Sequence, residues 1–245
     1  MQLTPQELSV ISYELFIFVL LIAVGAILLY RYYKKRITNI LILAICILVY
    51  AVAPLFHTLD ILYFSKTALW QNAALGYNLA YIMSAYGNVL LAFFFLRIYQ
   101  KEHVNLIVII YAILNIVNTS LLLYSSVQIA LTGIIIDQMI YLIFHLLLAM
   151  TLYIYMIRAA ILSSKKEVTL KVRRGFQLIA LFGLCLLLAF ICFVIDFILG
   201  ATYSPFVYVG WTSAAVGAIL AYLGYIMPDW LKKRWEKPET IEKST

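Results

Sequence analysis

Long apolar runs, separated by short charged or turn-forming stretches, divide this chain into seven segments. Each run is long enough to cross about 30 Å of hydrocarbon at about 1.5 Å per helical residue. Lipid offers the backbone no hydrogen-bond partners, and alternating strands of about ten residues are not seen, so we predict helices. The predicted spans are 10–30, 37–64, 75–96, 104–124, 134–156, 176–199 and 206–227. The start of the fifth is the least defined, because "SSVQIALTGIIID" fits a loop or a short interfacial helix.

Composition supports the same fold class. Of the 245 residues, 65% are hydrophobic and 12% are charged, and the mean hydropathy is +1.00. A soluble domain is typically about half apolar and a quarter charged. We therefore predict an all-α polytopic membrane protein, a seven-transmembrane helix bundle over residues 1–228. Residues 229–245 are predicted to form a cytoplasmic interfacial helix and tail, because Pro228 and Asp229 suit a helix start and Trp230 and Trp235 suit the headgroup level.

Basic residues set the predicted orientation. All of the 18 Lys and Arg residues except Lys66 fall on one side of the alternating spans. The positive-inside rule then places the N-terminus outside and the C-terminus in the cytoplasm of a cell membrane. Topology accounts for the net charge of +7, so no nucleic-acid partner is expected. The longest cytoplasmic link, "SSKKEVTLKVRRG", either contacts anionic lipids or docks a cytoplasmic protein.

Four acids lie within or beside the apolar spans: Glu14, Asp60, Asp137 and Asp196. Counting from the basic residue at the inner end of each span places all four about 26 to 36 Å away, in one layer near the outer face. Taken singly, each acid is explained as a residue near a helix end whose carboxylate reaches water among the lipid headgroups. Taken together, they favour an electronegative pocket, because only Lys66 offsets them on that side.

Histidines and aromatic residues accompany this acidic layer. His57 precedes Asp60 by three residues, so both lie on one helix face, and His145 shares a stripe with Tyr141. We predict an outward-facing polar pocket for a small ligand, cationic or amine-bearing. Its predicted ligand-binding residues are Glu14, His57, Asp60, Asp137, Tyr141, His145, Asp196 and Trp211.

Signatures of catalysis are weak. HxxD at His57 is the only local metal-ligand pattern, and neither HExxH nor GxSxG occurs. The three cysteines lie inside apolar runs, where small hydrophobic side chains are common. We therefore predict no catalytic residue, no metal site and no cofactor.

Further polar and small residues lie deeper in the spans. Mid-depth Ser84, Asn88, Asn115, Asn118 and Thr119 either bond between helices or form a relay that responds to ligand. The small-residue stripe through Gly210, Ala214 and Ala218 favours close helix packing, and a homodimer face stays open as the alternative.

Two motifs carry a resemblance. "YGNVLLAFFFLRIYQKE" ends span three and "AYLGYIMPDWLKKRW" leaves span seven. With the seven-span topology, they resemble the membrane modules of prokaryotic seven-transmembrane sensory receptors that are fused to histidine kinases. Such receptors usually continue into a signalling domain, whereas this sequence stops at Thr245, so the resemblance implies a separate cytoplasmic signalling protein. Microbial rhodopsins are a poorer match, because span seven lacks the lysine that binds retinal.

These observations leave three classes of function. The leading expectation is a receptor-like sensor, which predicts a cytoplasmic half closed by apolar side chains. A small-solute transporter or channel predicts a continuous polar path or internal repeats hinged at the midplane. An intramembrane metal-dependent enzyme predicts that His57, Asp60 and His145 converge within metal-binding distance.

Overall fold

The computed structural model describes residues 3–63, 75–99, 104–133, 138–167, 169–199 and 204–235. These residues form helices joined by short connections, without a strand among them. The helices are α1 (Pro5–Lys35), α2 (Thr38–Leu62), α3 (Leu75–Tyr99), α4 (Val104–Thr132), α5 (Met139–Lys166), α6 (Leu170–Leu199), α7 (Pro205–Ile226) and α8 (Asp229–Trp235). Within the described ranges, α1 to α7 are long and apolar enough to cross a membrane. The prediction of an all-helical chain with seven such helices is confirmed, and it fits a multi-pass membrane protein.

Local sequence explains where several helices begin and end. Thr4 and Glu7 form a capping box at the start of α1, with Pro5 at the first helical position. At the other end, Arg36 adopts the left-handed conformation with φ 55° and closes the helix. The Ser204 hydroxyl accepts a hydrogen bond from the amide of Phe206 and so caps α7.

Several helices are longer than the hydropathy pattern predicts, including α1 at both of its ends. The α4 helix continues through "SSVQIALT" to Thr132, where we expected a loop or a separate short helix. Ser125 and Ser126 donate to the carbonyl of Leu122, so the polar residues of this stretch are satisfied within the helix. Gly133, with φ 68°, follows its last residue.

The predicted long basic link is also mostly helical. The α5 helix runs to Lys166 and α6 begins at Leu170, so only residues 167–169 separate them. Lys and Arg are good helix formers, and hydropathy alone does not register that preference.

Neighbouring helices pack on each other in chain order, α7 returns to α1, and α3 also contacts α5. We call the end of the bundle where α1 finishes and α2 starts the basic end, and the opposite end the His57 end. The short α8 helix lies at the basic end, in the stretch predicted to be helical. There Lys232 bonds Asp229 at 3.3 Å and lowers the pKa of that exposed carboxyl, and the charges of Arg31 and Lys35 act in the same direction.

Apolar and aromatic side chains fill the half of the bundle next to the basic end. Phe94 packs edge-on against Tyr225, with ring centroids 5.0 Å apart, and Phe95 stacks on Tyr99. Leu28, Leu43 and Phe182 are among the buried residues of this core.

The small residues of α7 lie against α6. A Cβ at Gly224 would be 3.0 Å from the carbonyl oxygen of Gly175, and a Cβ at Gly210 would be 2.7 Å from the Phe193 ring. Close packing within one chain therefore accounts for Gly210 in the stripe and for the nearby Gly224.

Candidate functional site

A buried carboxylate joins three helices at the His57 end. Glu14 on α1 is fully buried. Its Oε1 lies 2.5 Å from Nδ1 of His57 on α2 and accepts from Nε1–H of Trp211 on α7 at 3.0 Å. Its Oε2 accepts from the Thr58 hydroxyl at 3.0 Å. A buried carboxylate needs such donors, since its desolvation is otherwise costly.

The contact with Glu14 fixes the orientation of the His57 ring. With Nδ1 held by the carboxylate, Nε2 points away from Glu14, and no described residue is recorded as its hydrogen-bond partner. The His57 side chain is 12% exposed and lines a cavity between α2, α3, α6 and α7. The imidazole therefore offers one nitrogen to whatever occupies that cavity.

Polar and aromatic side chains together form the wall of this cavity, which we call the upper cavity. The space among them, its open side included, is about 430 Å³, of which about 30 Å³ admits the centre of a water molecule. That exceeds the roughly 10–15 Å³ that one water needs. Within the described ranges, the lining residues include an acid and no lysine or arginine: His57, Tyr77, Ala80, Tyr81, Ser84, Phe190, Phe193, Asp196, Val207 and Trp211.

Asp196 serves both this cavity and the start of α7. Its Oδ1 accepts from the amide of Ser204 at 3.2 Å and from the hydroxyl of the same residue. For Oδ2, no hydrogen-bond partner is recorded in the described part of the chain. One oxygen thus ties α6 to α7, and the second remains available to a ligand at the cavity wall.

Asp60 performs a comparable structural task without lining the cavity. Its Oδ1 accepts from the amide of Gly76 at 2.9 Å, next to the start of α3, where a carboxylate also favours the helix dipole. A Cβ at Gly76 would lie 2.5 Å from the Cβ of Asp60. The glycine therefore allows α2 and α3 to approach closely at this point.

A second cavity, which we call the lower cavity, adjoins the first toward the basic end. It shares four lining residues with the upper cavity: Ser84, Phe190, Phe193 and Trp211. Its other lining residues come from α1, α2, α6 and α7, and all of them except Tyr50 are apolar. They are Leu21, Ile47, Tyr50, Ala53, Phe182, Leu186, Ala189, Ala214 and Ala218. Its space is about 510 Å³, with about 30 Å³ open to the centre of a water molecule.

The structure separates Tyr141 and His145 from this pair of cavities. Asp137 lies outside the described residues. Tyr141 lines a shallow groove on the α4–α5 surface instead. His145 is 1% exposed, and its ring meets Tyr81 edge-on with centroids 5.6 Å apart. It therefore stands behind the cavity wall. Neither of its nitrogens has a hydrogen-bond partner among the described residues.

Of the eight predicted residues, three line the upper cavity: His57, Asp196 and Trp211. Glu14 bonds two of these three from behind, and Asp60 is three residues from His57 on α2. The acids were expected to act as one layer of ligand groups. The structure instead gives Glu14 a positioning contact and Asp60 a helix-end contact, and places Asp196 at the wall.

Deeper polar residues mostly bond within the bundle. Asn88, fully buried on α3, accepts at Oδ1 from the hydroxyls of Tyr50 on α2 and Tyr153 on α5. Asn118 donates to the carbonyl of Tyr141 on α5 at 3.1 Å. Asn115 donates to the carbonyl of Tyr111 on its own helix at 2.8 Å.

Sequence reasoning did not single out Phe190 and Phe193, which form much of the wall shared by the two cavities. Aromatic residues in an apolar span are too common to mark a cavity. The sequence did hold one indication of a cavity next to α3. The helical period places the polar residue Ser84 on the same face as Tyr77 and Tyr81.

Metal-binding geometry does not occur in the described ranges. No group of three or more His, Cys, Asp or Glu side chains there is close enough to hold a metal ion. The convergence of His57, Asp60 and His145 that a metal-dependent enzyme requires is therefore not observed.

Comparisons of the chain with protein-family models, with curated proteins and with solved structures found no match.

Proposed function

We propose that this protein is a receptor-like seven-helix sensor of the cell membrane, which binds a small cationic ligand in the upper cavity. Its N-terminus lies outside and its basic end in the cytoplasm, as the distribution of Lys and Arg predicts. The α8 helix lies in the cytoplasmic interface, with Trp230 exposed and the neighbouring lysines directed to anionic lipids. A separate cytoplasmic signalling protein reads the basic end.

The observation that carries the proposal is the wall of the upper cavity. Asp196 contributes a carboxyl group and His57 an imidazole to this wall, while Tyr77, Tyr81 and Trp211 supply aromatic side chains. A carboxylate with aromatic faces is the combination that recognises an ammonium group. Among the residues that the structure describes, no Lys or Arg lines the cavity to compete with a cation.

The basic half of the bundle supports a sensor over a transporter. Below the lower cavity lie buried apolar residues such as Leu28, Leu43 and Phe95. A transporter needs polar groups along its path at this depth. Ligand binding would instead act on helix packing, because Trp211 and His57 link the cavity wall to α1, α2 and α7.

Ligand-dependent thermal stability tests the proposal. Purified protein in nanodiscs is heated with propylamine, benzylamine or choline, and with propionate as an anion of similar size. Binding to the folded state adds RT ln(1 + [L]/Kd) to the free energy of unfolding, so the melting temperature rises as the ligand concentration exceeds Kd. We expect at least one amine to stabilise the wild type and propionate to have no effect.

Two matched variants locate the effect. Asp196→Asn and Asp60→Asn remove the same charge at similar depth, and an asparagine oxygen still accepts the amide hydrogen bond in each. Only Asp196 lines the cavity, so Asp196→Asn should abolish the amine shift and Asp60→Asn should retain most of it. An equal shift in the wild type and Asp196→Asn, or an equal loss in both variants, overturns the assigned site.

A further inference from the structure

The upper and lower cavities lie next to each other along α6, which lines both of them. Phe190 and Phe193 line both cavities, Asp196 lines the upper one, and Leu186 and Phe182 line the lower one. From Asp196 to Leu186 is ten residues, which is about 15 Å of helix. The two spaces are therefore stacked along the bundle axis, with the polar one at the His57 end.

Polarity changes sharply between the two cavities. The upper cavity has His57 and Asp196 in its wall. The lower cavity has neither, and the polar groups of its lining are the hydroxyls of Ser84 and Tyr50 and the indole N–H of Trp211, which bonds Glu14. The Tyr50 hydroxyl is already committed to Asn88. An apolar space beside a polar one suits a ligand with an apolar part, since apolar cavities do not hold water well.

We propose that the ligand is an amphiphilic amine, with its ammonium group in the upper cavity and a single apolar chain extending into the lower cavity. This inference rests on the proposed function, because it assigns the head of the ligand to the same site. Only about 30 Å³ of the lower cavity is open to the centre of a water molecule, and so small a space favours one chain over the two chains of a bilayer lipid. Trp211 then contacts both parts of the ligand, because its ring lines both cavities.

Chain length and head charge are tested separately with three probes. Propylamine carries the head alone, octylamine carries head and tail, and octanol carries the tail without the charge. Affinities are measured from stability shifts in phosphatidylcholine nanodiscs. Octylamine should bind about tenfold or more tighter than propylamine, because each methylene buried in an apolar space adds affinity. Octanol should bind more weakly than octylamine.

Substitutions in the lower cavity distinguish specific binding from partition of octylamine into the bilayer. Ala214 is half-buried and lines only the lower cavity. Ala214→Leu fills that space, and Ala189→Val is a second, smaller filling variant for use if the first does not fold. Either should reduce the octylamine advantage to about twofold while leaving propylamine affinity unchanged, since the methylenes lose their apolar site. Ala130→Leu, the same change on α4 away from both cavities, should leave both affinities as in the wild type.

The outcomes separate this inference from the proposed function. If propylamine binds and loses affinity in Asp196→Asn, but the filling variants leave the octylamine advantage intact, the lower cavity is not the tail site and this inference is wrong. If no amine stabilises the wild type, the proposed function itself fails. If phosphatidylethanolamine added to the nanodiscs displaces octylamine, the occupant is a two-chain lipid, which overturns the single-chain ligand.

Discussion

Trp211 on α7 donates its indole N–H to Glu14 on α1 at 3.0 Å. The same carboxylate oxygen holds Nδ1 of His57 on α2. Both donors line the upper cavity, whereas the acceptor stands behind it and is fully buried. One carboxylate thus positions two cavity residues from helices that are distant in sequence, and a ligand that moves either residue must also change the contacts of α1.

Replacing Glu14 tests this positioning contact. Glu14→Gln keeps the shape but exchanges one acceptor oxygen for a donor, so the charge-assisted hydrogen bonds are weakened. We expect a loss of about 1–3 kcal/mol in the free energy of unfolding, measured by thermal or denaturant unfolding. Thr58→Val removes one donor and leaves the bonds from His57 and Trp211, so its cost should be smaller. Unchanged stability in Glu14→Gln would contradict the positioning contact assigned to Glu14.

Asn88 is predicted to hold α2, α3 and α5 together. Asn88→Ala removes the shared acceptor of Tyr50 and Tyr153, whereas Asn115→Ala removes only a bond to its own helix. Both asparagines are fully buried, so the cavities created are similar in size. Hydrogen bonds between helices in membranes contribute about 0.6–1.7 kcal/mol each, so Asn88→Ala should be the more destabilising variant by about 1–2 kcal/mol. Equal unfolding free energies in the two variants would contradict the assigned role.

Reporter fusions check the orientation on which the proposed function depends. Alkaline phosphatase folds only outside the cytoplasm, and green fluorescent protein exported by the general secretory route does not fluoresce. We expect a C-terminal fluorescent fusion to be bright and a C-terminal phosphatase fusion to be inactive, because the basic segments stay in the cytoplasm. Active phosphatase at the C-terminus would reverse the topology and place the upper cavity on the cytoplasmic side.

Hydropathy predicted the seven helices well, because each helix must present about 20 apolar residues to lipid. It did not predict the ends of α1, α4, α5 and α6. Beyond the apolar runs, those ends depend on helix propensity and on local bonds such as that of Ser126 to Leu122, neither of which changes mean hydropathy.

The site was predicted only in part, for a related reason. Counting residues gives the depth of Glu14, Asp60 and Asp196 along their helices, but it does not give the direction in which each side chain points. That direction depends on how the helices pack, and it decides that Glu14 bonds His57 while Asp60 bonds Gly76. Tyr141 and His145 share a stripe in sequence, yet the packing of α4 and α5 places Tyr141 in a surface groove and His145 in the core.

The emission of Trp211 gives the most direct test of amine binding in the upper cavity. The chain has four tryptophans, and replacing Trp70, Trp230 and Trp235 with Phe leaves Trp211 as the sole indole reporter. Titration with propylamine should change its emission along a saturable curve. Asp60→Asn should keep that curve, and Asp196→Asn should remove it. Emission that stays constant while propylamine raises the melting temperature would place the amine elsewhere and contradict the account.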